Sequence, residues 1–330
     1  MVVTEALARE DFAQAADPYR RELLAHCYRM LGSVHDAEDL VQETYLRAWR
    51  AYDRFEGRSS LRTWLYRIAT SACLTALENR SRRPLPTGLG EPSATADAAL
   101  VEKPEVPWLE PVPDGLVGAD ESDPATTAAS RQSVRLAFIA ALQHLPPRQR
   151  AVLVLRDVLQ FRAAEVAEAV GVSTAAVNSL LQRARAQLDE AALREDEITE
   201  PKSADERELL DRYVTAFQDY DIPAIVELFT SDAVWEMPPF TAWYQGPETI
   251  GHLVANKCPA EGPGDQILVP TSANGQPAFG LYMLGDDGVH RAFHLQVLDV
   301  TPGGVRHVAA FFDTSLFEKF GLPAALPRRA

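Results

Sequence analysis

The chain has 330 residues, enough for two or three domains, and its 46% hydrophobic and 24% charged composition is that of a globular protein rather than a disordered or fibrous one. Its three cysteines, Cys27, Cys73 and Cys258, lie far apart without CxxC or Cys/His spacing, which argues against a disulfide scaffold or a metal site and suits a reducing cytoplasm. The opening MVVTEALAREDF lacks the basic-then-apolar order of a signal peptide, and no apolar run nears the roughly 18 residues of a membrane span, so a cytoplasmic location with no membrane contact is expected.

The net charge of −15 is unevenly distributed. Tyr19 to Arg83 holds twelve Arg against eight Asp/Glu, and Arg131 to Glu190 eight Arg against five acids. Pro84 to Ser130 carries nine acids and one Lys, and Pro201 to Pro323 seventeen acids against seven bases. Two basic modules therefore alternate with acidic segments. A polyanion senses local potential over about 10 Å, so this asymmetry matters more than the total.

In chain order, Leu23, Cys27, Met30 and Leu31 fall at helical spacing, and Gly32 ends that helix. A second helix is expected from Asp36, with Ala37, Leu40, Val41, Thr44 and Ala48 on its apolar face. A third carries the stripe Leu61, Trp64, Leu65, Ile68, Ala69, Ala72, Cys73 and Ala76. Residues 84–130, dense in Pro, Gly, Ser and acids, read as an extended linker. Helices resume over 131–193, and 194–204 form a short acidic joint. Residues 205–330 open with a helix (Glu206 to Tyr220). Short β-rich runs follow at Ala233–Met237, Gln266–Thr271, Ala278–Leu284, Arg291–Val300 and Val305–Phe312, the order of an α+β domain.

The most specific local pattern is Ala163–Gln182. A helix-turn-helix needs a small residue where its helices cross, Gly at the turn for a left-handed backbone, and a branched apolar anchor on the second helix. Ala167, Gly171 and Val177 fill those places, with Val166, Val170, Val172 and Leu180 as the seam and Ser173 as a cap. Thr174, Ala175, Asn178, Ser179 and Gln182 are then left on the outer face, with Arg183 and Arg185 placed for phosphates. A helical hairpin with solvated arginines is the alternative, and the motif alone does not separate one kind of DNA-binding regulator from another.

The first module separates them by resemblance. Asp36-Ala-Glu-Asp-Leu-Val-Gln-Glu-Thr-Tyr-Leu-Arg-Ala-Trp49 resembles the segment of sigma region 2 that docks on the β′ clamp helices of core RNA polymerase. Phe55-Glu-Gly-Arg-Ser-Ser-Leu-Arg-Thr-Trp-Leu-Tyr-Arg-Ile-Ala69 resembles the segment with which extracytoplasmic-function (ECF) sigma factors recognise and melt the downstream promoter element. Leu145-Pro-Pro-Arg-Gln-Arg-Ala-Val-Leu153 with the helix-turn-helix resembles region 4, which reads the upstream element. The resemblance covers residues 20–83 and 131–190 in the family's order.

It implies core RNA polymerase (β′ clamp helices and β subunit) and promoter DNA as partners, with no cofactor and no chemical reaction. Asp36, Asp39, Gln42, Glu43 and Arg47 become polymerase contacts, although a solvated face with a Glu43–Arg47 pair explains the same residues. Arg58, Ser59 and Ser60 are candidates for a base pocket. Arg62, Thr63, Tyr66, Arg67 and Thr70 are expected to project opposite the apolar stripe toward the melted strand, and Arg80, Arg82 and Arg83 to hold phosphates. Trp64 sits on the stripe and reads as core. Ser71 stands where the family commonly has Asn, and Asn178 and Leu180 where Arg is frequent, which leaves the promoter sequence open. The acidic linker fits passage through polymerase channels or simple solubility.

Leu209 to Phe217, Asp221 to Phe229 and Ser231 to Met237, with the later Phe311-Phe-Asp-Thr-Ser-Leu-Phe317, resemble a SnoaL-like domain, a curved sheet around a conical pocket. The expected architecture is thus multidomain, with two all-α modules, region 2 (1–83) and region 4 (131–193), before an α+β SnoaL-like domain (205–330). Sigma factors with this fusion are regulated by the extension. Asp232, Tyr244, His294 and Asp313 are residue types able to do acid–base work. Trp235, Met237, Trp243, Tyr244, Phe279, Tyr282 and Phe293 either line a pocket for a small ligand or fill the core, and a regulatory protein is the other candidate partner of this domain. A ligand-responsive repressor acting without polymerase, or a SnoaL-like isomerase or cyclase with a DNA-binding arm, are the competing readings.

Overall fold

The structure, a computed structural model, describes residues 12–78, 80–117, 132–190 and 204–326. The chain divides into two compact units, one of Met1–Arg83 with Leu109–Arg194, the other of Pro84–Trp108 with Glu195–Ala330.

The first unit is helical. Helix α1 (Arg20–Leu31) ends at Gly32, whose φ of 69° is the left-handed backbone that glycine tolerates best. Helix α2 (Val34–Ala51) begins two residues before Asp36, because the Ser33 side chain accepts from the Asp36 amide and so caps the helix. Helix α3 (Leu61–Leu77) is capped by Ser60, which accepts from the Thr63 amide at 3.0 Å. Leu23, Cys27, Val41, Ala48, Leu65, Ala69 and Cys73 are all buried between these three helices, and Trp64, 7% exposed, belongs to that core as its stripe implies. After the short α4 (Asp114–Val117) come α5 (Leu136–Leu142) and α6 (Pro147–Leu153), which runs into a π-turn over Val154–Val158.

Helices α7 (Ala163–Val170) and α8 (Thr174–Glu190) form the helix-turn-helix. Gly171 turns the chain at φ 70°, and Ser173 Oγ accepts from the Ala176 amide at 3.2 Å. Val166, Val170 and Val177 are buried as expected, but Leu181 and Ala184 complete the seam, while Leu180 is only half-buried.

The second unit is α+β. Helices α9 (Ala204–Gln218) and α10 (Ile222–Glu227) precede strands β1 (Phe229–Glu236) and β2 (Trp243–Gln245), helix α11 (Pro247–Lys257), strands β3 (Gln266–Ala273), β4 (Gln276–Leu284), β5 (His290–Thr301) and β6 (Gly304–Phe311), and a final turn α12 (Leu316–Lys319). The six strands lie in the order β2-β1-β6-β5-β4-β3, antiparallel except for the β1–β6 pair. Tyr213 and Phe217 of α9 pack with Trp235, Phe279, Leu281 and Leu298 into one core. The three-residue β2 carries too little periodicity to be read from sequence. Residues 84–108 are packed on this unit and 109–117 on the first, so the described part of the 84–130 segment is not the extended linker expected from its composition.

Candidate nucleic-acid interface

The outer face of α8 is where sequence places it. Ser173, Thr174, Ala175, Asn178, Ser179, Gln182, Arg183 and Arg185 are all exposed. The two arginines differ in what they touch. Arg185 makes two bonds to the Asp157 carboxylate, at 2.8 and 2.7 Å, whereas Arg183 Nε donates to the Ser179 carbonyl of its own helix.

On α2, Asp39, Gln42 and Arg47 are exposed and Glu43, half-buried, accepts from Arg47 Nε at 2.7 Å. Leu46 and Trp49 are large apolar side chains exposed on the same helix, 48% and 36%. Sequence reading passed over both, because an apolar residue at helical spacing is ordinarily assigned to a core. Asp36 is engaged within the unit, since its Oδ2 accepts from Arg80 at 2.5 Å and Arg83 at 2.6 Å. Three residues expected to meet different partners are therefore joined in one ion-pair cluster.

The expected downstream face of α3 is revised in part. Tyr66 and Thr70 are 1% and 0% exposed, not outward-facing. The Tyr66 hydroxyl donates to Glu22 Oε2 at 3.2 Å, and Thr70 Oγ1 lies 3.0 Å from His26 Nε2. Burial, with Arg29 and Arg62 adding to it, lowers the His26 pKa to about 3, so this ring is neutral. Arg62 is held by Glu22 at 2.8 Å and stacks 4.9 Å from both the Tyr66 and Phe161 rings. Phe161, three residues beyond the π-turn, is itself 5.0 Å from Tyr66.

What remains of that face meets the first helix of the helix-turn-helix. Thr63 Oγ1 donates to Glu165 Oε1 at 3.3 Å, and Arg67 lies 4.0 Å from Glu168. A cleft of about 630 Å³ runs beside this contact, lined among others by Arg47, Trp64, Arg67, Arg148, Glu168 and Gly171. Arg58 is 84% exposed and pairs with Glu56, while Ser59 is half-buried and Ser60 serves as the α3 cap.

Two arginines counted in the basic modules are structural. Arg29 donates to the Ser133 carbonyl at 3.1 Å and hydroxyl at 2.6 Å. Arg150 donates to the Met30 carbonyl and, at 2.8 Å, to Gln143 Oε1. Burial lowers both to about 10, which leaves them charged at neutral pH. Both tie α1 to the segment around α5 and α6. Such residues are invisible to charge counting, because a buried and a solvated arginine read alike in sequence.

In the second unit Trp235, Met237, Tyr244 and Phe279 are buried and Phe293 half-buried against the same core. Tyr282 is not among them: its ring meets Phe317 at 5.3 Å and its hydroxyl donates to the Pro323 carbonyl, on the other face of the sheet. Tyr282 lies three residues from Phe279, so the alternation that carries Phe279 and Leu281 into the core turns it to the opposite face. The bulge beside it lies in β5, where Phe293 is the extra residue between Ala292 and His294. Trp243 is half-buried and Nε1 donates to the Gly90 carbonyl.

The candidate acids and bases have separate partners. Asp232 accepts from Thr230, Asp313 caps Ser315, and His294, which burial lowers to about 3, meets Gln296 at 2.9 Å. Tyr244 is buried, and burial raises its pKa. Among the described residues no group of three His, Cys, Asp or Glu is placed to hold a metal ion, and no helix is long and apolar enough to cross a membrane.

A helix-turn-helix packed against a second, arginine-bearing helical module marks a DNA-binding transcription factor, and both modules match known families. Residues 15–83 match Sigma-70 region 2, and residues 135–188 match Sigma-70, region 4. The ECF RNA polymerase sigma factor SigG of Mycobacterium tuberculosis is 61% identical over 319 residues, covering 96% of this chain and 85% of that protein. SigJ of the same organism is 29% identical over 326 residues, covering 94% of each. The crystal structure of SigJ superposes with a TM-score of 0.60 at 24% identity, over 93% of this chain and 98% of that one, and so shares the fold. The chain belongs to the ECF RNA polymerase sigma factors and carries a SnoaL-like domain at its C-terminal side. Factors of this family bind core RNA polymerase and promoter DNA and act in initiation without making or breaking a covalent bond themselves.

Proposed function

We propose that this sigma factor docks on the β′ clamp helices through Asp39, Gln42, Glu43 and Arg47 of α2 and reads the upstream element with the outer face of α8. Region 4 also reaches the β subunit. Arg58, Ser59, Arg62, Thr63 and Arg67 take the downstream element once α7 has left α3. The observation that carries this reading is the exposed row Thr174, Ala175, Asn178, Ser179, Gln182 and Arg183 on a capped recognition helix.

The contact of Glu165 and Glu168 with Thr63 and Arg67 makes the described arrangement a closed one, in which acids stand where DNA phosphates would be held. The C-terminal domain shifts the balance between closed and promoter-ready forms, as a cytoplasmic regulator and not a catalyst. The separate partners of Asp232, His294 and Asp313 support that role. A small ligand among Trp235, Met237, Phe279 and Phe293, or a regulatory protein, is the form its input takes.

Run-off transcription with purified core polymerase on fragmented genomic DNA tests the reading. New transcripts that depend on this protein, and fall on Ala substitution of Asn178 and Gln182, are expected. Transcripts indifferent to those substitutions would overturn the assignment of the α8 face.

A further inference from the structure

Residues 84–108 form a strap that the C-terminal domain grips along its length. The Thr87 amide donates to Glu236 Oε2 at 3.0 Å, a carboxylate with no exposed surface whose other oxygen meets His307 Nε2 at 2.8 Å. Trp243 grips the strap twice, with Nε1 donating to the Gly90 carbonyl and its own carbonyl accepting from the Ser93 amide, both at 2.8 Å. Ala96 is 1% exposed within the domain's apolar core. Asp97 Oδ1 stands 2.6 Å from His252 Nε2, and the Asp97 carbonyl accepts from Lys257 Nζ at 3.0 Å. Further along, the Thr241 amide donates to the Val101 carbonyl at 3.2 Å and the Lys103 amide to the Pro239 carbonyl at 2.9 Å. These two bonds flank an antiparallel bridge between Glu102 and Phe240. A chain segment added to a domain by paired backbone bonds and one buried side chain is the pattern of strand-addition recognition.

Both ends of the strap return to one place. Arg83, the residue before it, pairs with Asp36 at 2.6 Å and with Glu110, just beyond it, at 3.8 Å. Arg80 takes the same Asp36 oxygen. The Glu110 carboxylate also accepts from Ser33 Oγ at 2.7 Å, at the cap of α2.

We propose that the C-terminal domain is a clamp on this strap, and that the clamped strap holds Arg80 and Arg83 on Asp36. One acid of the docking helix and two cations of the DNA-binding set are thereby taken out of use together. Release of the strap frees the backbone next to Arg83, so that both arginines swing toward DNA and α2 presents its acid to a basic partner. A contact within one chain competes at an effective concentration on the order of millimolar, so polymerase binding has to displace it. The proposal rests on the reading of α2 as the polymerase-docking helix.

The flanking bonds make Glu102 and Phe240 a non-hydrogen-bonded antiparallel pair, the geometry in which side chains stand closest and a disulfide is accommodated. The full-length chain carrying Glu102→Cys and Phe240→Cys is oxidised to lock the strap, then reduced to free it, and core polymerase binding is measured in both states by fluorescence anisotropy. Glu102→Cys alone, treated identically, controls for Cys27, Cys73 and Cys258. The locked form is expected to bind core polymerase about tenfold more weakly, with full recovery on reduction. Equal affinity in the two states, or the same loss in the single-cysteine control, would overturn the clamp. The reduced form reports on docking itself, so a failure of that reading is seen separately.

Discussion

Glu168 of the first helix-turn-helix helix stands 4.0 Å from Arg67 of the helix assigned to promoter melting. Together with the Glu165–Thr63 bond, it places two acids on a surface that otherwise attracts phosphate. Both contacts are partly solvated, so their loss costs little stability, about 1 kcal/mol or less each. Replacing Glu165 and Glu168 by Gln is therefore expected to leave the fold intact while raising affinity for a downstream-element fork DNA several-fold. Titrating labelled fork DNA against the polymerase complex checks this. Unchanged affinity would show that the acids do not mask the face.

Asp36 and Asp39 lie three residues apart on α2 but differ in what they can offer a partner. Asp36 is neutralised by Arg80 and Arg83, while Asp39 is exposed. Asp39→Asn is expected to weaken core polymerase binding more than Asp36→Asn, by about 1 kcal/mol, the order of a charge-assisted contact. Competition between the two variants and wild type for limiting core polymerase measures the difference. Docking through Asp36 has first to break its pairs with Arg80 and Arg83, and a larger loss from Asp36→Asn would mean that breaking them costs less than the Asp36 contact returns.

How far the sequence carried can be seen at particular positions. Gly171, Ala167 and Val177 identify the helix-turn-helix because a left-handed turn and a close helix crossing each admit few residue types. The α3 stripe predicted its core, Trp64 included. It misplaced Tyr66 and Thr70, which lie on the flank of the stripe, because their burial depends on Glu22, His26 and Phe161 from distant segments. Tyr282 was misplaced because it was grouped with Phe279, three residues away on the same strand, although alternation puts two such residues on opposite faces of the sheet. The strap was read as linker because Pro, Gly and acid content says how little core a segment can build alone, not whether a neighbouring sheet will supply hydrogen bonds to it.

Arg183 and Arg185, adjacent on the outer face of α8, are expected to separate in DNA binding. The guanidinium of Arg185 already makes two bonds to Asp157, whereas Arg183 bonds only a backbone carbonyl through Nε. Arg183→Ala should weaken upstream-element binding uniformly across sequences and lower the slope of log affinity against log salt by about 1, as loss of one phosphate contact does. Arg185→Ala should do so by less, because its charge is shared with Asp157. Band-shift titrations at several salt concentrations distinguish them, and equal slopes for the two variants would refute the difference.

The buried histidines make the protein acid-labile in a definite window. Burial lowers His26, beside Arg29 and Arg62, and His294 to about 3 from an ordinary value of 6.5. Each is therefore neutral in the folded chain and takes up a proton in the unfolded chain below about pH 6.5. The unfolded state then binds more protons, so stability is fully present above 6.5 and falls as pH drops through 6.5 toward 3. Each histidine contributes a slope of about 1.4 kcal/mol per pH unit. Urea unfolding followed at pH 7 and at about pH 5 should show this loss. His26→Gln retains a side chain able to bond Thr70 Oγ1 and removes the titrating group. Its first-unit transition should then lose the His26 share of the slope, and a pH dependence unchanged by that substitution would mean the ring is charged in the fold.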